Sequence, residues 1–386
     1  MTKHIAFDKR NNERGEISGG IVKKHIYFIS FIACFLLLVS CSQQKTEWRG
    51  TVEEKDGVTI VKNPKDPMYT ENVFSLEEEL SIGEADGPEE YMFSRLSNLT
   101  VDDRGYIYAL DVNEKHIKVY NDEGKYVRTI GRAGQGPGDI LGSRNVCITA
   151  QNEVMVPDSL NNRLTFFSLE GKFIRNIKTT PLVLSETKID SNGDIIGLAI
   201  VREEENPRHE LKKFNADLKY LCSFDSSPLQ NPRNLNPFMG GLIWDIDKND
   251  RVVCGYPITY EIKIFDPEGN IIKKIEKDYK PLEITKEDIK RFEGMPPGIE
   301  LSIPKYYPPF RDFIIDDECR IFVLTYEKVP DGDERYYDVF DKEGKYIAKI
   351  PLGLRTQLIK KDKLYAIEED NDGYHCIKRY KVTWNY

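Results

Sequence analysis

Histidine is scarce, with five residues in 386, and only His116, His209 and His375 follow the first 41 positions. They stand far apart and at no metal-ligand spacing, which excludes a zinc site built on paired histidines. Cysteine is nearly as sparse. Five of the seven (Cys147, Cys222, Cys254, Cys319 and Cys376) lie in the body of the chain, odd in number, widely separated and without a C-x-x-C pair. That spacing excludes a disulfide framework and predicts buried free thiols, with room for one isolated bridge in an oxidising compartment. No Ser/His/Asp arrangement at triad spacing is present. Beyond the N-terminus there is no basic stripe in a chain of net charge −9, so nucleic acid is excluded as a partner. Alternating strand and helix patterns are missing too, and with them a parallel α/β sheet.

The N-terminus supplies the most specific positive signal. Lys23-Lys24 precedes an apolar run over residues 26–39, which ends at Leu38-Val39-Ser40-Cys41. A basic start, a short apolar segment and a small-residue cleavage site describe an export signal over residues 1–40 rather than a spanning helix. Leu-x-Ser-Cys resembles a bacterial lipobox, which makes Cys41 the expected lipidation site and the membrane a partner through the anchor. Two or more acyl chains hold stably where one holds marginally. Residues 1–21 are polar and long for the front of such a signal, so translation is expected to begin near Val22. Cleavage before Cys41 removes six Lys or Arg and three Asp or Glu from totals of 55 and 64, leaving a net charge of −12. A body that acidic is repelled by anionic lipid, so the anchor and not charge holds it at the membrane.

A repeated phrase fixes the fold class. An aromatic closes one strand, a polar turn with glycine follows, and a second strand opens. The copies span residues 119–126, 166–173, 213–220, 264–271 and 339–346, the third being weaker because it lacks the glycine. Glycine supplies the positive φ such hairpins need. A second hairpin lies upstream of each copy, as at residues 96–111, 186–199, 243–255 and 313–325. Four short antiparallel strands at a period of roughly 40–50 residues are the signature of a β-propeller.

The C-terminal unit, from residue 357, stops one strand short. Leu80-Ser81-Ile82-Gly83 matches Arg128-Thr129-Ile130-Gly131, and the following Gly87-Pro88 and Ser94-Arg95 match Gly136-Pro137 and Ser143-Arg144. An N-terminal strand therefore completes the last blade, which removes free sheet edges. The expectation is an all-β, six-bladed propeller over residues 73–386, preceded by a lipidated tether and lead-in over 41–72 and carrying an inserted loop and helix at 279–310.

These residues resemble a known family. Residues 111–138, with N-x-x-x-I-x-V-Y-N-x-x-G-K and I-G-R-A-G-Q-G-P-G, look like an NHL-type repeat. From Trp48 and Asn63-Pro64 onward the chain is similar to the six-bladed β-propeller lipoproteins of Bacteroidetes envelopes. The resemblance implies fold and location, and no particular activity.

Candidate sites follow from where a propeller puts its loops. Arg95, Arg144, Arg311 and Arg355 recur just before inner strands, with Arg233 in a related loop. Converging on one axis, they would form a funnel for carboxylate or phosphate groups. Pairing with neighbouring acids or carbonyls would instead make them struts between blades. Residues 132–138 are glycine-rich but lack the Lys-Ser/Thr ending of a phosphate loop and precede a strand, so they shape a crossing. In the insertion, Thr285 and Asp288 read as the two ends of a capping box for a helix reaching about Phe292 and stopping at Gly294. Tyr306, Tyr307 and Phe310, bracketed by prolines, suit stacking on a sugar, peptide or apolar ligand, or a lid that packs its own aromatics onto the propeller.

The expected function is a cell-envelope lipoprotein anchored in the outer membrane, without enzymatic activity, cofactor or metal. It would recognise a small ligand, glycan or protein partner through its central-channel face. A metal-dependent hydrolase, lactonase or lyase using the same channel is one alternative, and a scaffold subunit of an envelope complex is another.

Overall fold

Each hairpin turn is held by the polar residue that opens it. Asn121 accepts the N–H groups of Glu123 and Lys125 on its side chain, at 3.1 and 2.8 Å. Gly124 then closes the turn on the Asn121 carbonyl at φ +78°. Asp266 with Gly269 and Asp341 with Gly344 repeat the arrangement. In the weak third copy Leu218 occupies the glycine position at φ +60°, a conformation unfavourable for a branched side chain. Asn215 compensates by accepting two N–H groups there. The inner hairpins use Asp102, Asp190, Asp247 and Asp316 in the same way. Short polar side chains that bond their own backbone two residues on are what favours turns over longer strands here.

The structure is a computed structural model that describes residues 47–386 except 71–72, 183, 204–205, 232, 293–297, 331, 333, 354 and 371. The export signal, Cys41 and the expected helix stop at Gly294 lie outside the described residues. From Trp48 to Tyr386 the chain forms one compact unit. It is a six-bladed β-propeller of four-stranded antiparallel blades. Innermost strands of blades 1 to 6 are Leu96–Val101, Cys147–Ile148, Leu184–Ile189, Ile243–Ile246, Asp312–Ile315 and Thr356–Lys360. Blade 6 is completed by Phe74–Ile82, which pairs antiparallel with His375–Trp384 from Phe74–Trp384 to Ile82–Ile377. The ring thus closes by the N-terminal strand, as the match between residues 80–83 and 128–131 predicts.

Six buried apolar clusters fill the six seams between neighbouring blades. Between blades 1 and 2, for example, Leu110, Ile117 and Val119 meet Val154, Val156 and Phe167, all at 2 % exposure or less. Each such side chain contributes roughly 1.5–3 kcal/mol by leaving water. The seams, rather than one central core, carry the hydrophobic stabilisation, because the axis itself is left as a channel.

The lead-in holds structure that the sequence reading did not anticipate. Thr51–Lys55 and Val58–Asn63 form a hairpin through Asp56-Gly57, both at positive φ. Val58–Asn63 then lies parallel to Ile271–Lys277, the outer strand of blade 4, making that sheet six-stranded. Asn63 ends the arm in a buried position. Its amide donates to Gly344 and Glu276 carbonyls at 2.9 and 3.1 Å and accepts from Tyr346 N–H and Trp48 Nε1. Met68 and Tyr69 bond backbone groups of blade 5 before the chain reaches blade 6.

Candidate functional site

Because the innermost strands all run the same way, residues before them share one mouth of the channel and the turns after them share the other. Arg95 and Arg311 directly precede innermost strands and Arg144 lies three residues before one. Blades 5, 6, 1 and 2, which carry Arg311, Arg355, Arg95 and Arg144, are consecutive around the ring. Side chains of blade 1 hold the backbone of blade 2 here: Ser97 Oγ donates to the Arg144 carbonyl at 3.3 Å, and Asn98 Oδ1 accepts Val146 N–H at 3.0 Å. Asp111 sets the loop before Arg95 by accepting the N–H groups of Ser94 and Arg95, and Asp158 does the same for Leu141 and Gly142.

The arginines divide into two kinds. Arg355 is a strut: its guanidinium bonds Glu369 at 2.9 Å in its own blade and the Leu96 carbonyl at 3.0 Å in blade 1. Arg95, Arg144 and Arg311 are exposed, and among the described residues their guanidinium groups have no hydrogen bond or ion pair. Arg233 is also exposed but lies in the loop before blade 4 that pairs with the insertion, where its carbonyl accepts Glu300 N–H beside the short parallel pair Asn234–Leu235 and Glu300–Leu301. It is not at the start of an inner strand, so the structure does not group it with the others.

The insertion corrects two of the three aromatic candidates. Thr285 and Asp288 form the expected capping box at the helix Lys286–Lys290. Tyr307 stacks on Tyr326 at 4.4 Å and meets Phe238 edge-on at 5.0 Å. Burial, together with the bond to Asp288, pushes the Tyr307 hydroxyl up to about 12. Phe310 is fully buried and packs 5.5 Å from Tyr260. Phe310 presents no face to a ligand, and the half-buried Tyr307 is engaged by Tyr326 and Phe238, because the insertion folds back on the propeller and packs its own aromatics. Tyr306 stays 42 % exposed with Lys305 over its ring.

Behind the rim the channel is charged. Glu186 and Lys188 come from blade 3, Asp245 from blade 4 and Asp312 from blade 5; Lys188 is ion-paired with Asp245. Water reaches Glu186 and Asp312, yet surrounding protein strips enough solvent to hold both carboxyls above the usual carboxylate range. Mutual repulsion adds to this, from Asp312 on Glu186 and from Asp245 on Asp312. Glu186 sits at φ +49° in a bulge between Ser185 and Lys188. Burial raises the Cys147 thiol of blade 2 to about 12, against a smaller opposing pull from Lys188. Sequence reasoning missed this group, although charges inside short inner strands were the available signal.

The glycine-rich crossing is tied down by a side chain of the neighbouring hairpin. Three of its surrounding carbonyls, of Gln135, Gly136 and Asp139, accept from the Arg163 guanidinium at 2.8–3.1 Å. At the far mouth, turns of blades 1, 2, 4, 5 and 6 surround a cavity of about 410 Å³ whose wall includes Ile148, Ile246, Ile315 and Leu358. Among the described residues no group of three or more His, Cys, Asp or Glu is placed to hold a metal ion. All five body cysteines are free; Cys254, Cys319 and Cys376 are buried, and Cys147 and Cys222 are half-buried.

Comparison with known proteins supports this architecture. Residues 86–193 match the DUF5128 family, described as a 6-bladed beta-propeller. The propeller is shown on both counts. A Bacteroides fragilis protein assigned as exported superposes with a TM-score of 0.58 at 11 % identity, over 85 % of this chain and all of that one. A DUF4221 family member from Bacteroides vulgatus gives 0.51 at 13 %, over 81 % and 99 %. At these identities the likeness is one of fold. In sequence, 151 residues are 25 % identical to the Drosophila melanogaster protein brain tumor, covering 37 % of this chain and 13 % of that protein.

Proposed function

We propose that the chain is an envelope lipoprotein whose propeller binds a partner through an anionic group at the arginine-bearing mouth, without catalysing a reaction. The observation that carries this reading is the trio of unpaired guanidinium groups, Arg95, Arg144 and Arg311, on three blades of one mouth in a net acidic chain. Like charges that share a rim repel, and a carboxylate or phosphate relieves that repulsion while offering bidentate hydrogen bonds that none of the three guanidinium groups makes within the described residues. The partner is a small ligand, a glycan or a protein segment carrying such a group. Likeness to an exported Bacteroides protein supports export, and Leu-x-Ser-Cys41 supports the anchor.

The test of binding is thermal. A phosphorylated or carboxylated ligand at low salt should raise the melting temperature with its concentration, and Arg144→Met with Arg311→Met should abolish that rise. Failure of every such ligand to shift the wild type returns the arginines to a structural role. The anchor is tested separately: Cys41→Ala should leave the precursor unprocessed or release the mature protein, whereas normal lipid labelling of the variant sinks the lipobox reading.

A further inference from the structure

Blade 1 begins at Leu96, and blade 6 bonds both backbone polar groups of that residue. Leu96 N–H donates to His375 Nδ1 at 2.8 Å, and Arg355 Nη2 donates to the Leu96 carbonyl at 3.0 Å. A ring nitrogen that accepts carries no proton, so His375 is neutral with its hydrogen on Nε2. Nε2 faces Glu369 Oε1 at 3.4 Å, which can accept that hydrogen. Arg355 Nη1 is also near, at 3.2 Å, but two donors cannot bond each other. The arrangement sits where the ring closes without a covalent link, and the residue before Leu96 is Arg95 of the channel rim.

We infer that His375 is an acid-sensitive latch on the closing seam, shut when the imidazole is neutral and released when Nδ1 is protonated. Protonation places a ring N–H against the Leu96 N–H, so that bond is lost and, of the two bonds from blade 6 to the Leu96 backbone, only that of Arg355 remains. The charged groups facing the ring come from three elements. Arg355, at the start of the innermost strand of blade 6, opposes a second positive charge. Glu369, at the end of the next strand, and Asp111, from blade 1, favour it. After the closing strand the nearest approach is Gly83, whose position lies against the His375 carbonyl and brings no titratable group.

Burial is the largest influence and Arg355 the next, and together they hold the histidine below its ordinary value of 6.5. The sign follows. A histidine whose folded pKa is depressed favours the neutral native form, so the latch is fully closed above the unfolded value. It is lost as pH falls through the lower, folded one. The latch itself stands apart from the anion-binding reading; only its consequence for ligand, through the adjoining Arg95, rests on that reading.

Amide hydrogen exchange of Leu96 in the full chain, expressed as a protection factor so that intrinsic pH effects cancel, reads the latch directly. Between pH 7.5 and 5 protection should fall by about tenfold in the wild type, which is roughly 1.4 kcal/mol. In His375→Gln the side-chain oxygen can accept the same N–H and does not titrate, so the fall should be within about twofold. Flat protection in the wild type, or an equal fall in His375→Gln, overturns the proposal and assigns any change to Glu369 or Asp111. Nitrogen chemical shifts of His375 give a second reading on unaltered protein, where an imidazolium at pH 7.5 would also overturn it. Melting shifts with inorganic phosphate at both pH values separate the two ideas. No shift at either pH removes the anion site and leaves the Leu96 result to decide the latch.

Discussion

The seam between blades 4 and 5 and the seam between blades 6 and 1 solve the same packing problem with different chemistry. At the first, Asp338 accepts the hydroxyls of Tyr260 and Tyr346, each at 2.6 Å, and pairs with Lys277 at 3.3 Å. Lys277 in turn lies over both tyrosine rings, and the whole group is buried. Asn63 of the arm caps the network from outside with four hydrogen bonds. At the second seam the polar contacts are spread along the blade. Arg379 reaches Asp122, Arg355 and His375 hold Leu96, Lys360 bonds the Val101 carbonyl and Lys361 the Asp103 carbonyl. A buried network gives all-or-none cohesion, since removing one member strands the others. A distributed set loses strength gradually and leaves the closing seam able to respond to conditions.

Deletion has the largest expected effect. A chain starting after Gly83 lacks the strand that completes blade 6 and exposes two sheet edges, so it should aggregate and lose its cooperative melt. A chain starting at Val73 loses only the arm; it should remain a soluble, closed ring on size exclusion, with reduced stability. Equal behaviour of the two would show that the arm and not the closing strand holds the ring. Next comes Asp338→Ala, which leaves a buried ammonium unpaired beside two unsatisfied hydroxyls. Chemical denaturation should read a loss of about 3–5 kcal/mol. Asn63→Ala removes a buried amide with three backbone partners and the Trp48 indole, and should cost about 1–3 kcal/mol. Lys378→Ala, breaking a half-exposed pair with Glu78 at the closing strand, should change stability by no more than about 1 kcal/mol. If it matched Asp338→Ala, the contrast between the seams would collapse.

Much of the ring was legible because its signals are local. Asn121-x-x-Gly124 and its copies dictate turns through bonds spanning only a few residues, and residues 80–83 reproduce the outer-strand ending at 128–131. The arm was less visible, although Asp56-Gly57 between two β-branched runs is itself a hairpin signal; a tether was expected there, and the partner strand lies more than 200 residues away. Site residues divide on the same principle. Repeat position placed Arg95, Arg144, Arg311 and Arg355 at one mouth, but only the fold shows that Glu369 and the Leu96 carbonyl occupy Arg355. Proline-bracketed aromatics looked available, yet Phe310 meets Tyr260 from another blade. The channel acids Glu186 and Asp312 gave no spacing pattern, because residues from different blades share a level only after the ring forms.

The arm also decides the order in which a mechanical load is felt. A pull applied on the N-terminal side of Trp48 reaches the Thr51–Asn63 hairpin first, then Asn63 in its socket, then the contacts of Met68 and Tyr69 with blade 5. Only after these does tension arrive at Phe74, where the closing strand begins. Resistance to forced opening is a rate set by whichever barrier is met first. The hairpin therefore acts as strain relief: a load applied upstream of Trp48 is met by the added edge of blade 4 before the strand that closes the propeller can be peeled away.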